Sequence, residues 1–235
     1  MATNARDSWI QKGIQKAGRS PAAAQALAAM IDRAGSPGEA GEAAPERWGL
    51  DALRGRLVEL SARGAAATLT AAIELVVEAQ QAAEPVAWVT LGKATFYPPD
   101  AADSGVDLAA LAVVRVHDPT AAARAAERLL RSGAFGLVVI DFGGGGHAID
   151  LPIAHQGRLV TLAQAHDAAV VCLTEKPGDA PSLGSLVSLR AEALRLHAPG
   201  PEGARGYHVT LRALKDKRRG PGWTRTTKLR GPPGL

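Results

Sequence analysis

Two short segments contain the residue types of a phosphate-binding site. A loop of small residues, 61–68, follows one apolar run, and Asp141 ends another, LVVID. In many nucleotide-binding proteins the loop reads G-x-x-x-x-G-K-[ST], where backbone amides wrap the phosphates, the Lys contacts them and the hydroxyl holds Mg²⁺. An Asp at the end of a buried strand orients that ion. The two segments therefore occupy the positions expected for a nucleoside triphosphate and its metal.

The loop lacks the groups that would bind those phosphates. It has one glycine, and Ala66 stands where the Lys is expected. Arg63 is the nearest cation, at the wrong end of the loop, and Asp141 can equally cap the loop that follows it. We expect ATP hydrolysis and tight ATP binding to be lost, with no catalytic residue and no cofactor; a weak ATPase with an unusual loop is the alternative. The residues of this degenerate nucleotide site are Arg63, Gly64, Ala66, Ala67, Thr68 and Asp141.

Other reactive residue types do not form a recognisable site. His155 and His166 share a predicted helix but are eleven positions apart, so they do not converge on a metal. The single cysteine, Cys172, excludes an intrachain disulfide framework and indicates a small core residue. The glycine run 143–146 has no Lys after it and is interpreted as a loop rather than a phosphate site. We therefore expect no metal site.

The charge of the chain is unevenly distributed. Residues 205–235 contain nine Lys and Arg and one Asp, which leaves 18 basic against 22 acidic residues in 1–204. A basic end with an interleaved aromatic residue can contact phosphates and stack on a base, or bind an acidic protein; a merely solubilising tail is the alternative. The candidate contact residues are Lys215, Lys217, Arg218, Arg219, Trp223, Arg225, Lys228 and Arg230.

Short apolar runs alternate with helical patterns through the middle of the chain. This alternation indicates an α/β fold with a mostly parallel sheet flanked by helices. Segments 185–198 and 206–217 alternate every second residue and are joined by a Pro/Gly turn, which indicates an antiparallel hairpin that extends the sheet. The predicted strands are 56–60, 85–91, 111–116, 136–142 and 169–174, and the predicted helices are 68–81, 119–132 and 152–166.

The elements suggest four parts. Residues 1–34 are predicted to be helical and to dock either on their own core or on a neighbour, and 35–47 form a flexible linker rich in Gly, Pro and Glu. Residues 48–219 form the α/β core, and 220–235 form a basic tail without periodicity, which we expect to be flexible. The start of the chain has no apolar signal core, so we expect a cytoplasmic protein.

Several motifs, in order, resemble RecA. GRLVEL followed by ATLTAAIELVVEAQ resembles its phosphate-loop strand and helix, and YPPDAADSGVDLAALAVVRV resembles the passage around its LGVD motif. AAERLLRSGAFGLVVID resembles its LVRSGAVDVIVVD stretch, and Lys215-Asp216-Lys217 resembles the Lys-Asn-Lys before its last core strand. The resemblance covers about residues 48–223 and implies a RecA-like core with a degenerate nucleotide site.

The departures from RecA narrow the resemblance. The position of its catalytic Glu falls at Gly92 or Lys93, and that of its switch Gln at Thr174 or Glu175. Its two DNA-binding loops are reduced to 143–147 and 176–182. A RecA relative without these groups is similar to the ImuA family, which is grouped with SulA-like proteins.

This likeness implies a non-catalytic accessory protein of SOS mutagenesis and translesion synthesis. Its implied partners are RecA, an ImuB-type inactive Y-family polymerase and an error-prone replicative-type polymerase. Lys215 and Lys217 resemble lysines that reach a neighbouring subunit's nucleotide in RecA, so here they would contact an acidic partner surface. Two alternatives remain: a DNA-binding accessory that brings the polymerase complex to DNA through the basic end, and a SulA-type inhibitor of cell division.

Overall fold

The structure, a computed structural model, describes residues 48–64, 66–92, 96–143, 149, 151–198 and 206–230. The predicted N-terminal helix and linker lie outside the described residues. Eight strands form one sheet, and the five predicted parallel strands are confirmed to within two residues at each end. The strands are β1 Arg56–Ala62, β2 Val86–Leu91, β3 Leu111–Val116, β4 Leu137–Asp141, β5 Ala169–Glu175, β6 Leu189–Ala198, β7 Gly206–Asp216 and β8 Thr224–Arg230.

The three long helices are confirmed to within one residue at each end. The most amphipathic one begins where Asp118 accepts a hydrogen bond from the amide of Ala121 at 2.7 Å, with Pro119 in its first turn. Among the described residues no helix is both long and apolar enough to cross a bilayer. The helices are α1 Leu50–Leu53, α2 Thr68–Gln81, α3 Pro98–Asp103, α4 Pro119–Arg131 and α5 Ile153–Ala165, with a 3-10 turn at Leu108–Ala110.

The strand order is β3-β2-β4-β5-β1-β6-β7-β8. The first six strands in this order run parallel, β7 runs antiparallel to β6, and β8 runs antiparallel to β7. The carboxyl ends of the six parallel strands therefore meet at one edge of the sheet, where ligands of open α/β sheets bind. The predicted α/β class, with a mostly parallel sheet and an antiparallel C-terminal hairpin, is confirmed.

Different helices cover the two faces of the sheet. Val58 and Leu60 of β1 pack with α1 and α2 on one side, here called the α2 face. Leu57 of the same strand packs with α4 and α5 on the other side, here called the α4–α5 face. Successive side chains of a strand point to opposite faces, so each strand in the centre contributes to both apolar layers.

The prediction of a flexible chain after Gly220 is wrong for β8. This strand pairs with β7 from Gly206↔Arg230 to Arg212↔Thr224. Three threonines favour the extended conformation, and Thr210 and Thr226 form a cross-strand hydroxyl pair at 3.0 Å. The segment escaped prediction because its buried anchor, Trp223, precedes the strand rather than alternating within it.

Candidate functional site

The loop after β1 is closed by backbone hydrogen bonds, one within the loop and one to β6. The amide of Ala66 donates to the carbonyl of Gly64 at 2.8 Å, and the amide of Ala67 donates to Ala193 of β6 at 3.0 Å. Ala66 also forms an antiparallel bridge with Leu194. These amides are the kind that would wrap a phosphate, and here they bind protein instead. The loop is therefore hydrogen-bonded to β6 and does not form a phosphate cradle.

The remaining loop residues offer little to a nucleotide. Arg63 and Gly64 are exposed, and Gly64 has a φ of 83°, which suits a residue without Cβ. Thr68 opens α2, and Ala67, the residue before it, has no side chain to cap the helix. Ala66 occupies the sequence position of the phosphate-binding Lys, so that position supplies no ammonium group to a terminal phosphate.

Asp141 lies at the carboxyl end of β4 and is 4% exposed. Its Oδ1 accepts a hydrogen bond from the amide of Gly143 at 2.9 Å, and its Oδ2 has no hydrogen-bond partner in the described part of the chain. Burial raises the pKa of the Asp141 carboxyl. It is level with Thr90 of β2, while β5 separates β4 from β1 and its loop.

The described residues do not fit a magnesium nucleotide. No three His, Cys, Asp or Glu side chains among them are grouped as metal ligands. Asp141 therefore belongs to no such group, and the amides of Ala66 and Ala67 already donate to protein carbonyls. The bond to Gly143 is what a loop-capping Asp makes.

A buried acid that the sequence analysis missed lies at the same edge, on the α4–α5 face. Glu59 of β1 is fully buried, with its Oε1 2.5 Å from Lys176 Nζ. It accepts hydrogen bonds from the hydroxyl of Thr174 at 2.8 Å and the amide of Leu183 at 2.7 Å. Arg190 Nε lies 3.9 Å from the second oxygen. The signal was a glutamate inside the otherwise apolar run LVEL, since an acid is rarely buried without a partner.

This cluster fixes the segment between β5 and β6, here called the anchored segment and defined as residues 176–188. Arg190 donates to the carbonyls of Pro177 and Ala180. Lys215 donates to the Ser182 hydroxyl at 3.4 Å, and Lys217 to the Ser185 carbonyl at 2.7 Å. The segment that the RecA resemblance equates with a second DNA-binding loop, residues 176–182, is therefore bound to cations of its own chain.

A β-bulge in β7 shifts by one residue the face to which each side chain after Leu214 points. Arg190 pairs with Lys215 but Ala191 pairs with Ala213, so β7 has one extra residue there. Lys215 consequently reaches the anchored segment. Asp216 turns to the α2 face, where it contacts Arg56 at 2.6 Å.

Asp216 is the centre of a second buried cluster. Its carboxylate also accepts the indole N–H of Trp223 at 3.0 Å and the amide of Arg218 at 3.0 Å. Burial opposes ionisation, but the bonds from Trp223 and Arg56 outweigh it and lower the pKa of Asp216. The prediction that Trp223 stacks on a base is wrong, because this side chain is 6% exposed and lies in the core.

The other residues of the basic end are dispersed. Arg218 donates to the Arg54 carbonyl at 3.2 Å, and Arg225 Nη1 lies 3.9 Å from Glu74 of α2. Arg219 and Lys228 are exposed, and Arg230 ends β8. Of the described side chains, Arg218 and Arg225 thus contact different elements, and Trp223 is buried.

A scan against protein-family models finds no match to this chain, and a search of curated proteins finds no similar sequence. The described residues define an α/β protein with a mostly parallel sheet, in which the loop after β1 is closed by backbone hydrogen bonds. The functional conclusion depends on that geometry and on the sequence motifs.

Proposed function

We propose that this chain is a non-catalytic RecA-like accessory protein of the ImuA type. It would bind RecA, an ImuB-type inactive polymerase, or both, during damage-induced mutagenesis. The observation that supports this most is the closed loop after β1, where Ala67 donates its amide to Ala193 and Ala66 replaces the phosphate-binding Lys. A chain with RecA-like motifs, in which the described amides of this loop already bind protein, fits a binding role better than an ATPase.

The anchored segment supports binding to a protein rather than wrapping of a DNA strand. Arg190, Lys215 and Lys217 bind carbonyl and hydroxyl oxygens within their own chain. Their ammonium and guanidinium groups are thus occupied at the edge where a DNA-binding loop would contact phosphates. A segment fixed at this many points presents one defined surface, which suits protein recognition without a large ordering cost.

Two assays on the full chain test this function together. The first is cosedimentation with RecA filaments on single-stranded DNA, with a parallel pull-down using an ImuB-type protein; we expect binding at about micromolar concentration. The second is isothermal titration with Mg-ATP, where we expect no heat of binding.

The results that would overturn the proposal are distinct. Absence of both RecA and ImuB binding at micromolar concentration removes the accessory role. A heat of ATP binding that Asp141→Ala abolishes would instead revive the weak ATPase. Asp103→Asn, an exposed change on α3, is the matched control for that variant.

A further inference from the structure

The two faces of the sheet carry helices of opposite charge. Helix α2 contains two glutamates and no Lys or Arg. Helices α4 and α5 together contain four arginines and one glutamate. The excess positive charge of this region is therefore on the α4–α5 face, far in sequence from the basic C-terminal end.

The acids of α2 have partners within the molecule. Glu78 accepts the amide of Leu50 at 2.7 Å, and Glu74 lies 3.9 Å from Arg225. Of the four arginines of α4 and α5, only Arg158 has an acidic partner among the described residues, Glu127 at 3.0 Å. The uncompensated charge thus belongs to α4.

Three arginines of α4 lie on one exposed stripe. Arg124, Arg128 and Arg131 are spaced at i, i+4 and i+7, are all exposed, and have no ion pair with any described residue. Like charges at this spacing destabilise a helix by about 0.2–0.5 kcal/mol per pair. The helix dipole compensates Arg128 and Arg131, which are in the last turn, but not Arg124. Stability alone does not explain the stripe.

A groove between α4 and α5 adjoins the stripe. Its volume is about 400 Å³, and its lining combines two arginines with small and apolar residues. Ile153, one helical turn before Gly157, is 65% exposed beside it. The lining residues are Arg131, Ala154, Gly157, Arg158, Thr161 and Leu162.

We propose that the α4–α5 groove binds an acidic, partly apolar helical segment of a partner protein. Acids at i, i+4 and i+7 of such a segment would match the arginine stripe, which spans about 10 Å along α4. Apolar residues beside them would cover Ile153 and enter the groove, in the helix-in-groove manner. A nucleic acid would use the arginines but neither Ile153 nor the apolar lining, and none of the lining residues is an aromatic on which a base could stack.

The test is fluorescence anisotropy with the full chain and a labelled helical peptide of about 16 residues, with Glu at i, i+4 and i+7 beside a stripe of Leu. We expect saturable binding that Arg131→Glu weakens at least about tenfold. Arg115→Glu, an equal charge change at an exposed position of β3, should alter the affinity less than about twofold. A peptide with Lys in place of Glu should not bind.

A second variant separates the apolar contribution. Ile153→Ser should lower the affinity for the peptide without changing how that affinity depends on salt. Arg131→Glu should lower both the affinity and its salt dependence. If Arg131→Glu fails to fold, Arg131→Gln takes its place with a smaller expected loss.

Three outcomes overturn the proposal: no peptide binding up to about millimolar concentration, equal losses for the variants of Arg131 and Arg115, or displacement of the peptide by an oligothymidine that binds the same arginines. The assay contains neither RecA nor a polymerase, so its result is independent of the function proposed above.

Discussion

The buried pair of Arg56 and Asp216 is the residue-scale feature on which the C-terminal strands depend. Both side chains are almost fully buried, and the carboxylate also binds Trp223 and two backbone amides. A buried pair adds little relative to apolar residues, but removing one partner leaves an uncompensated charge. The pair therefore affects the free energy of unfolding mainly when one of its partners is removed.

We predict that Asp216→Asn lowers the free energy of unfolding by about 3–5 kcal/mol, because it leaves the Arg56 guanidinium buried without a counter-charge. Urea denaturation at neutral pH measures this loss. Asp103→Asn, the exposed control on α3, should leave the midpoint unchanged. Equal midpoints for the wild type and Asp216→Asn would contradict the prediction.

The same pair gives a pH dependence with a defined sign. The folded pKa of Asp216 is lower than its unfolded value, so its contribution is complete above the unfolded pKa of about 3.9 and is lost as pH falls through the folded pKa. The difference in unfolding free energy between the wild type and Asp216→Asn should accordingly be constant at neutral pH and shrink in strong acid.

At the scale of elements, β8 is held by a residue outside it. Trp223 packs in the layer of the α2 face and donates its indole N–H to Asp216, so the strand that follows it begins at a fixed point. We predict that Trp223→Ala costs about 3–5 kcal/mol in urea denaturation, as large-to-small core changes do.

Lys228→Ala provides the control within β8, because that side chain is exposed. It should leave the unfolding free energy unchanged. A Trp223→Ala variant as stable as the wild type would indicate that the chain after Gly220 contributes nothing to the core.

The elements that could be predicted from the sequence are those with a period. The strands of the parallel sheet are apolar runs, and α4 has a capping Asp, a Pro in its first turn and Gly133 beyond its end. Neither the α1 helix of four residues nor β8 has a readable period. The burial of Arg190 and Glu192 was unpredictable for another reason. The anchored segment that covers their side of the hairpin has no period of its own, and it is held in place by Glu59 of β1, which is distant in sequence.

The candidate site, too, could be predicted from the sequence only in part. The loss of the phosphate-binding Lys could be read directly at Ala66, but closure of the loop by β6 depends on a pairing between residues far apart in sequence. The opposite outcome for Trp223 has the same origin: charge and aromatic spacing predicted an exposed contact, and only the bulge in β7 turns Asp216 to meet the indole.

At the scale of the whole molecule, the reactivity of the single cysteine measures how often the sheet opens. Cys172 lies in β5, between β4 and β1, and is fully buried. Burial, and then the nearby charge of Glu59, raise the pKa of its thiol, so no reactive thiolate forms in the native state. Since β5 is central, its exposure requires separation of the sheet rather than fraying of an edge.

We therefore predict that modification of Cys172 by a thiol reagent follows global unfolding. Its rate should rise with urea at the slope of the equilibrium transition, and Asp216→Asn should accelerate it by about a hundredfold or more in water, the equivalent of its expected loss in stability. Asp103→Asn should leave the rate unchanged. If labelling is instead fast, with a shallow dependence on urea and no response to Asp216→Asn, then β5 opens locally, and the buried clusters on the two faces do not stabilise the sheet as one cooperative unit.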